Sequence, residues 1–280
     1  MILDANQILG HVNRKTLKRF GMDPGSLKHY HEHEFDPKHL LNTYVLPETD
    51  KTLHEEIILF PMKTLQSLLS SGKIAGKTLI DFSSGPNVSH LLTICDYFSD
   101  IIVLEPNDLC MREMEKWRKG EEESFDWSHL SEHFPELKGD RKKWMEKEET
   151  LRRKINNMMI CDLSKDESLP LLKADCLMSL YLIGHTSKDK EAYRKIIKKL
   201  SSFLNVGGHL LLVGAFNAKH FFIGEDKYHS LIMDEEFFRK ALEDGGFIIE
   251  NLEKLDSKVT SDLAKYDQLF LASAKKVKEV

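Results

Sequence analysis

The residues with the clearest chemical bearing lie where a short apolar run breaks into small side chains: Leu79-Ile80-Asp81-Phe82-Ser83-Ser84-Gly85-Pro86-Asn87. A strand that passes through a small-residue turn into a helix lets backbone amides approach a ligand, and the first amides of the helix favour polar or anionic groups. Pro86 suits a first helical turn. The run has one glycine where a nicotinamide-dinucleotide fingerprint needs three, which disfavours a dehydrogenase and leaves a plain structural turn open. A second apolar run ends at Glu105, roughly twenty residues beyond Asp81, where an acid on the neighbouring parallel strand accepts hydrogen bonds from ribose hydroxyls. A third acid, in Cys161-Asp162-Leu163, follows an apolar stretch and is placed to close on a base and its amino group; a plain loop aspartate fits the sequence as well. Gly207-Gly208 reads as a structural turn between helix and strand.

Other patterns fail on spacing or context. Gly72-Lys73-Ile74-Ala75-Gly76-Lys77-Thr78 has one residue too few between its glycines for a phosphate-binding loop, and it precedes a strand instead of following one. His29, His31, His33 and His39 alternate with Glu32 and Glu34 without the ligand spacing of common zinc sites, so no metal is expected. No Gly-x-Ser-x-Gly nucleophile elbow occurs. Met111, Met114 and Trp117 fit one face of a core helix.

The elements that must position these residues follow from apolar periodicity. Strand-like runs at Thr78–Phe82, Ile101–Glu105, Ala174–Ile183 and His209–Phe216 alternate with helical patterns at Leu91–Phe98, Leu109–Arg118, Lys190–Leu204 and Glu235–Asp244. That alternation predicts an α/β fold with a mostly parallel sheet and helices on both faces. Phe247–Leu252 and Leu269–Ala274 lack a strong helix between them and predict an antiparallel edge pair. Thr52 to Leu69 predicts a helix kinked or restarted at Pro61. Residues 1–34, polar and broken by Gly21, Pro24 and Gly25, read as an N-terminal arm without a core, ahead of one domain over 35–280. A charged stretch at about 119–158, with Phe125-Asp126-Trp127 and Trp144 embedded, reads as an insertion packed on the sheet, its later half helical from Lys143 to Met159.

Composition narrows the function classes. A chain of 280 residues with 41% hydrophobic content buries one substantial core. The 40 basic and 45 acidic residues give a formal charge of −5, which offers no general attraction to nucleic acid. No apolar run is long enough to span a bilayer, and no secretory h-region is evident near the start. Cys95, Cys110, Cys161 and Cys176 are scattered, as expected of reduced thiols in a cytosolic protein.

Several segments together resemble the family that contains nicotinamide, indolethylamine and phenylethanolamine N-methyltransferases, from about Phe35 to the C-terminus. They are Phe35-Asp36-Pro37, Leu79-Ile80-Asp81 with Ser84-Gly85-Pro86, Glu113 to Trp117, Phe125-Asp126-Trp127-Ser128, Glu146 to Glu149 with Leu151-Arg152, Cys161-Asp162, Ala174-Asp175-Cys176, Gly207-Gly208 and Ile223-Gly224-Glu225. The resemblance implies a Rossmann-like class I methyltransferase with a seven-stranded, mostly parallel sheet and an antiparallel C-terminal strand. It implies S-adenosylmethionine as cofactor and a small amine or pyridine-like acceptor, with in-line methyl transfer that gains from proximity and orientation and needs no dedicated catalytic residue. Ser83, Ser84 and Gly85 would then surround the methionine end, Glu105 the ribose, and Asp162 and Leu163 the adenine. Phe221, Ser230 and Asn217 would line the acceptor, although Phe221 and Phe222 also fit an ordinary core. A monomer without nucleic-acid or membrane partners is expected.

The chain departs from the family pattern at several positions. Ser83 replaces a glycine, Leu40 and Val45 replace tyrosines with Tyr44 one residue from the second, Ser89 replaces a tyrosine, Cys110 an asparagine and Leu180 a threonine. The segment Gly214 to Ala218 lacks the acid that some members use to hold an amine. Each lost donor weakens cofactor binding by about 1 kcal/mol. A second reading therefore stands beside the first: a catalytically impaired relative that keeps the fold and binds a ligand or a protein partner.

Overall fold

A computed structural model describes residues 27–165 and 173–280, so the first 26 residues of the expected arm lie outside the described residues. Five strands pair in parallel in the order β3-β2-β1-β4-β5: β1 (Gly76–Asp81), β2 (Phe98–Glu105), β3 (Ile155–Ile160), β4 (Ala174–Leu180) and β5 (Leu204–Phe216). β10 (Gln268–Lys276) returns antiparallel to β5, and β8 (Phe247–Asp256) lies antiparallel to β10 at the sheet edge. The result is the predicted seven-stranded, mostly parallel sheet. Its central strands are apolar on both faces because helices cover both. One buried cluster on one side includes Ile80, Leu104, Leu177 and Leu212; another on the opposite side includes Leu79, Val103, Met178 and Leu211. Strand order reverses between β1 and β4, so the carboxyl ends of these two strands open a crevice.

The helices begin where side chains supply missing hydrogen bonds. Asn107 caps α5 (Asp108–Lys119) by accepting from the amides of Leu109 and Cys110, and Gly120 ends it at φ +72°. Asp189 caps α8 (Lys190–Phe203) and Asp234 caps α9 (Glu235–Asp244) in the same way. The short α4 (Ser89–Ile94) follows the β1 turn. Near the start, Asp36 caps α1 (Pro37–Tyr44).

The expected kink at Pro61 takes a definite form. Helix α2 (Lys51–His54) passes through a π-helical turn (Glu55–Leu59) into α3 (Phe60–Leu69) without a break. Proline has no N–H to offer the carbonyl four residues back. That carbonyl, Ile57 O, instead accepts the Tyr181 hydroxyl at 3.0 Å.

Three expectations are corrected. The strand predicted to reach Ile183 ends at Leu180; Tyr181 takes φ +61° and the chain turns into α7 (Leu182–Thr186). The helix predicted to reach Met159 is α6 (Arg141–Lys154), and the residues beyond it form β3 against β2. The arm does contribute to the core, because Tyr30 is fully buried there. Trp127 and Trp144 of the charged insertion are also buried, in the cluster that holds Leu91 and Met178.

A second, three-stranded sheet, β7-β6-β9, roofs one end of the crevice: β6 (His220–Ile223), β7 (Asp226–His229) and β9 (Ala264–Lys265). Among the described residues no helix is long and apolar enough to cross a membrane.

Candidate active site

The turn after β1 is held by hydrogen bonds that settle where Ser83 points. Its hydroxyl donates to Asp81 Oδ1 at 2.6 Å and accepts the Leu180 amide at 3.0 Å. The buried His90 reaches the same Asp81 oxygen with Nε2 at 2.8 Å. The hydroxymethyl group that replaces a glycine hydrogen therefore fastens β1 to β4 and is turned into the sheet. Ser84 donates its amide to Leu180 O at 2.9 Å, and its hydroxyl lies 3.2 Å from His185 Nδ1. Gly85 takes φ +76°, and a Cβ there would stand 2.9 Å from Leu40 Cδ2.

Glu105 ends β2 beside this turn and is 3% exposed. Its carboxyl accepts the amides of Asn107 at 2.7 Å and Gly85 at 3.1 Å. Tyr30 from the arm approaches both carboxyl oxygens, at 3.0 and 3.1 Å, and accepts the Gly85 amide at 2.6 Å. Cys110 Sγ lies 3.4 Å from the same hydroxyl. Burial pushes the Glu105 carboxyl up to about 8, against the pull of the two amides and the phenol. The Tyr30 phenol is likewise pushed well above its usual range by burial.

Asp162 and Leu163 arrive next to Glu105 because β3 ends alongside β2, with the Cys161 amide donating to Glu105 O at 3.1 Å. Asp162 Oδ1 accepts from the Ser164 amide and hydroxyl. Its Oδ2 is buried with no hydrogen-bond donor, although the Lys165 ammonium lies 3.5 Å away. Leu163 is buried, and its carbonyl accepts from Lys199 Nζ at 3.0 Å.

On the other side of Ser84 lies a small, mostly apolar cavity between the ends of β4 and β5, the π turn and the small sheet. Its walls include Leu40, Ile57, Tyr181, His185, Phe221 and Tyr266. His185 stacks on Phe221 at 4.0 Å and lies nearly parallel to Tyr181 at 6.2 Å. Burial drives the His185 imidazole down to about 3, so it is neutral. The phenol protons are already engaged: Tyr181 donates to Ile57 O, Tyr266 to Glu56 at 2.8 Å, and Tyr44 shares its proton between Phe222 O and Leu263 O. No Asp or Glu lies among the lining residues.

The predicted residues divide accordingly. Ser83 and Ser84 bond to Leu180 at the end of β4, and the adjoining Gly85 bonds to Glu105 at the end of β2, with Asp162 and Leu163 at the next strand end. Phe221 and Ser230 line the cavity, Phe221 pointing in and Phe222 out as strand alternation requires. Asn217 is not among the lining residues; its amide is turned to Asp267 at 2.9 Å. Tyr44 does reach the cavity, yet its hydroxyl is held by backbone at Phe222 and Leu263, so it does not stand in for the tyrosine lost at Val45. Sequence reasoning missed Tyr30, Tyr181, His185 and Tyr266. For Tyr181 and His185 the available signal was their place just after the fourth strand, where ligand-binding loops lie. Among the described residues no group of His, Cys, Asp or Glu is placed to hold a metal ion.

The NNMT/PNMT/TEMT family model matches residues 26–277. Indolethylamine N-methyltransferase of Mus musculus is 32% identical over 88% of this chain and 94% of the relative. Nicotinamide N-methyltransferase of Homo sapiens is 32% identical, covering 87% and 93%. Phenylethanolamine N-methyltransferase of Mus musculus is 30% identical, covering 78% and 76%. An S-adenosylmethionine-dependent methyltransferase from Clostridium acetobutylicum superposes with a TM-score of 0.55 at 12% identity, covering 86% of this chain and 98% of that one. The N-methyltransferase NodS from Bradyrhizobium japonicum, in complex with S-adenosylhomocysteine, gives 0.53 at 12% identity, covering 87% and 100%. The two structural likenesses concern the fold alone, whereas the family model spans nearly the whole described chain, including the β1 turn, both strand-end acids and the cavity: this chain belongs to the NNMT/PNMT/TEMT family.

Proposed function

We propose that this chain transfers a methyl group from S-adenosylmethionine to the nitrogen of a small, uncharged, flat acceptor bound in the cavity beside Ser84 and His185. The observation that carries the reading is the meeting of two compartments at one turn, the acidic strand ends on one side of Ser84 and the apolar cavity on the other.

The donor groups fit the cofactor. Asp162 Oδ2 is a buried acceptor without a donor, as an adenine amino group requires, and Leu163 supplies an apolar wall. Glu105 has the acceptors for ribose hydroxyls at the end of the second strand. When bound, the cofactor supplies an electrophilic methyl on a sulfonium. The protein's part is to orient the acceptor against the Ser84 turn, which Phe221, His185 and Tyr181 do by stacking, and to exclude water with Leu40 and Ile57. With no carboxylate on the walls and a neutral imidazole within them, a protonated amine would lose its hydration without gaining a counter-charge. A neutral ring nitrogen does not incur that cost.

Isothermal titration with S-adenosylhomocysteine and a methyl-transfer assay test the proposal. Nicotinamide is expected to be methylated in preference to phenylethanolamine at neutral pH, where the latter carries a proton. Absence of heat at millimolar S-adenosylhomocysteine rejects the methyltransferase reading. A monomeric state, no nucleic-acid contact and a cytosolic setting complete the proposal, supported by the net charge of −5 and by four cysteines scattered along the chain without Cys-x-x-Cys spacing.

A further inference from the structure

The residues that would hold the nucleoside half of the cofactor are covered by the chain's own arm. Glu105, Leu163 and the adjoining Gly85 are all buried, and the group that covers Glu105 and Gly85 is the Tyr30 side chain. We propose that residues 29–33 are a self-ligand of the nucleoside site: the Tyr30 hydroxyl occupies the place of a ribose hydroxyl on Glu105 and Gly85, and an adenosyl ligand binds by exchanging with it. The inference rests on the proposed function, since it takes Glu105 as the ribose acceptor.

Three observations carry it. A phenol that donates to a carboxyl oxygen and accepts from an amide has the donor and acceptor habit of a sugar hydroxyl. Beside it, two buried polar atoms lack hydrogen-bond partners: Nδ1 of His31 on the arm and Oδ2 of Asp162 below it. Their side chains are only 6% and 7% exposed, and the Asp162 charge acts on the His31 ring. Once the arm has moved aside with His31, the amino donor of a base satisfies Asp162 Oδ2, so the ligand class is an aminopurine nucleoside. Finally, the arm is fastened on either side of the segment. Lys28 forms a bridge to Tyr228 and an ion pair with Asp226, and Asp36 caps α1. Between them, the backbone ties are turn bonds from Glu32 and His33 to His29 O and from the His29 amide to His33 Nδ1, with long contacts from Asn107 Nδ2 to Tyr30 O and His33 O at 3.4 and 3.5 Å. The segment can therefore swing out without unpairing the small sheet.

The test is isothermal titration of S-adenosylhomocysteine and of adenosine into the full chain, as wild type, Tyr30→Phe and Tyr30→Ala, together with amide hydrogen exchange of residues 30–33. Tyr30→Phe keeps the buried ring and removes the competing hydroxyl, so it is expected to bind S-adenosylhomocysteine about tenfold more tightly. In the wild type, ligand addition is expected to speed exchange at residues 30–33. Unchanged or weaker binding by Tyr30→Phe overturns the exchange mechanism and leaves the methyltransferase reading standing. Should Tyr30→Ala fail to fold, the wild-type exchange still decides, because protection of residues 30–33 on ligand addition also overturns it. No heat from either ligand with any variant rejects the cofactor reading and the exchange together.

Discussion

At the scale of single residues, Ser83 shows how a departure from a family pattern changes its meaning once the bonds are known. Its hydroxyl links Asp81 to the Leu180 amide, so Ser83→Ala leaves that buried N–H unpaired. The variant is expected to lose about 1–3 kcal/mol of stability in urea unfolding while leaving acceptor affinity unchanged. Glu105 makes a prediction about pH. Its folded value, about 8, lies above the ordinary 4.5, so the carboxyl is protonated in the folded chain and ionised in the unfolded one between those limits. The unfolded state binds fewer protons there, and stability falls as pH rises through the window. Glu105→Gln removes that slope; unfolding midpoints at pH 5.5 and pH 8 should show the variant gaining on the wild type as pH rises, by on the order of 1–3 kcal/mol. An equal gap at both pH values would show that Glu105 is ionised throughout.

At the scale of elements, the π turn ahead of Pro61 is the piece that shapes the cavity. Proline frees Ile57 O, and Tyr181 takes it, which holds the phenol ring beside His185. Pro61→Ala restores an N–H that competes for the same carbonyl. The variant is expected to raise the KM for the acceptor severalfold with S-adenosylhomocysteine affinity unchanged, as initial rates and titration would report. The regular elements were legible in the sequence because apolar runs bounded by turn residues mark strands buried on both faces. β3 was not, because it is an edge strand in which only Ile155 is buried, and its pattern continues that of the preceding helix. The overshoot to Ile183 has a similar cause: Leu180, Tyr181, Leu182 and Ile183 form an unbroken apolar run, and the left-handed φ of Tyr181 leaves no mark in residue type. The acids of the site were read from their strand-end positions. Tyr30 stood among histidines and glutamates, and only the fold brings it 75 residues back to Glu105.

At the scale of the whole molecule, titrations of opposite sense act on the fold. His54 packs against His129 and His133 of the insertion, with ring centroids 6.2 and 6.5 Å away, and burial lowers all three. Groups whose folded values lie below 6.5 take up protons first when unfolded, so this cluster weakens the fold as pH drops below that point. Glu105 acts in the opposite sense, its contribution falling as pH rises toward 8. Acidification to pH 5 should loosen the insertion and red-shift the emission of Trp127, which is 1% exposed; replacing His54 and His129 with Gln should suppress the shift. The reversal of strand order between β1 and β4 sets both compartments around Ser84, whose amide is tied to Leu180 and whose hydroxyl meets His185. With this serine in the wall between them, neither guest can settle without the other sensing it. Initial velocities plotted against the two substrates should accordingly give intersecting lines, the kinetic mark of a ternary complex.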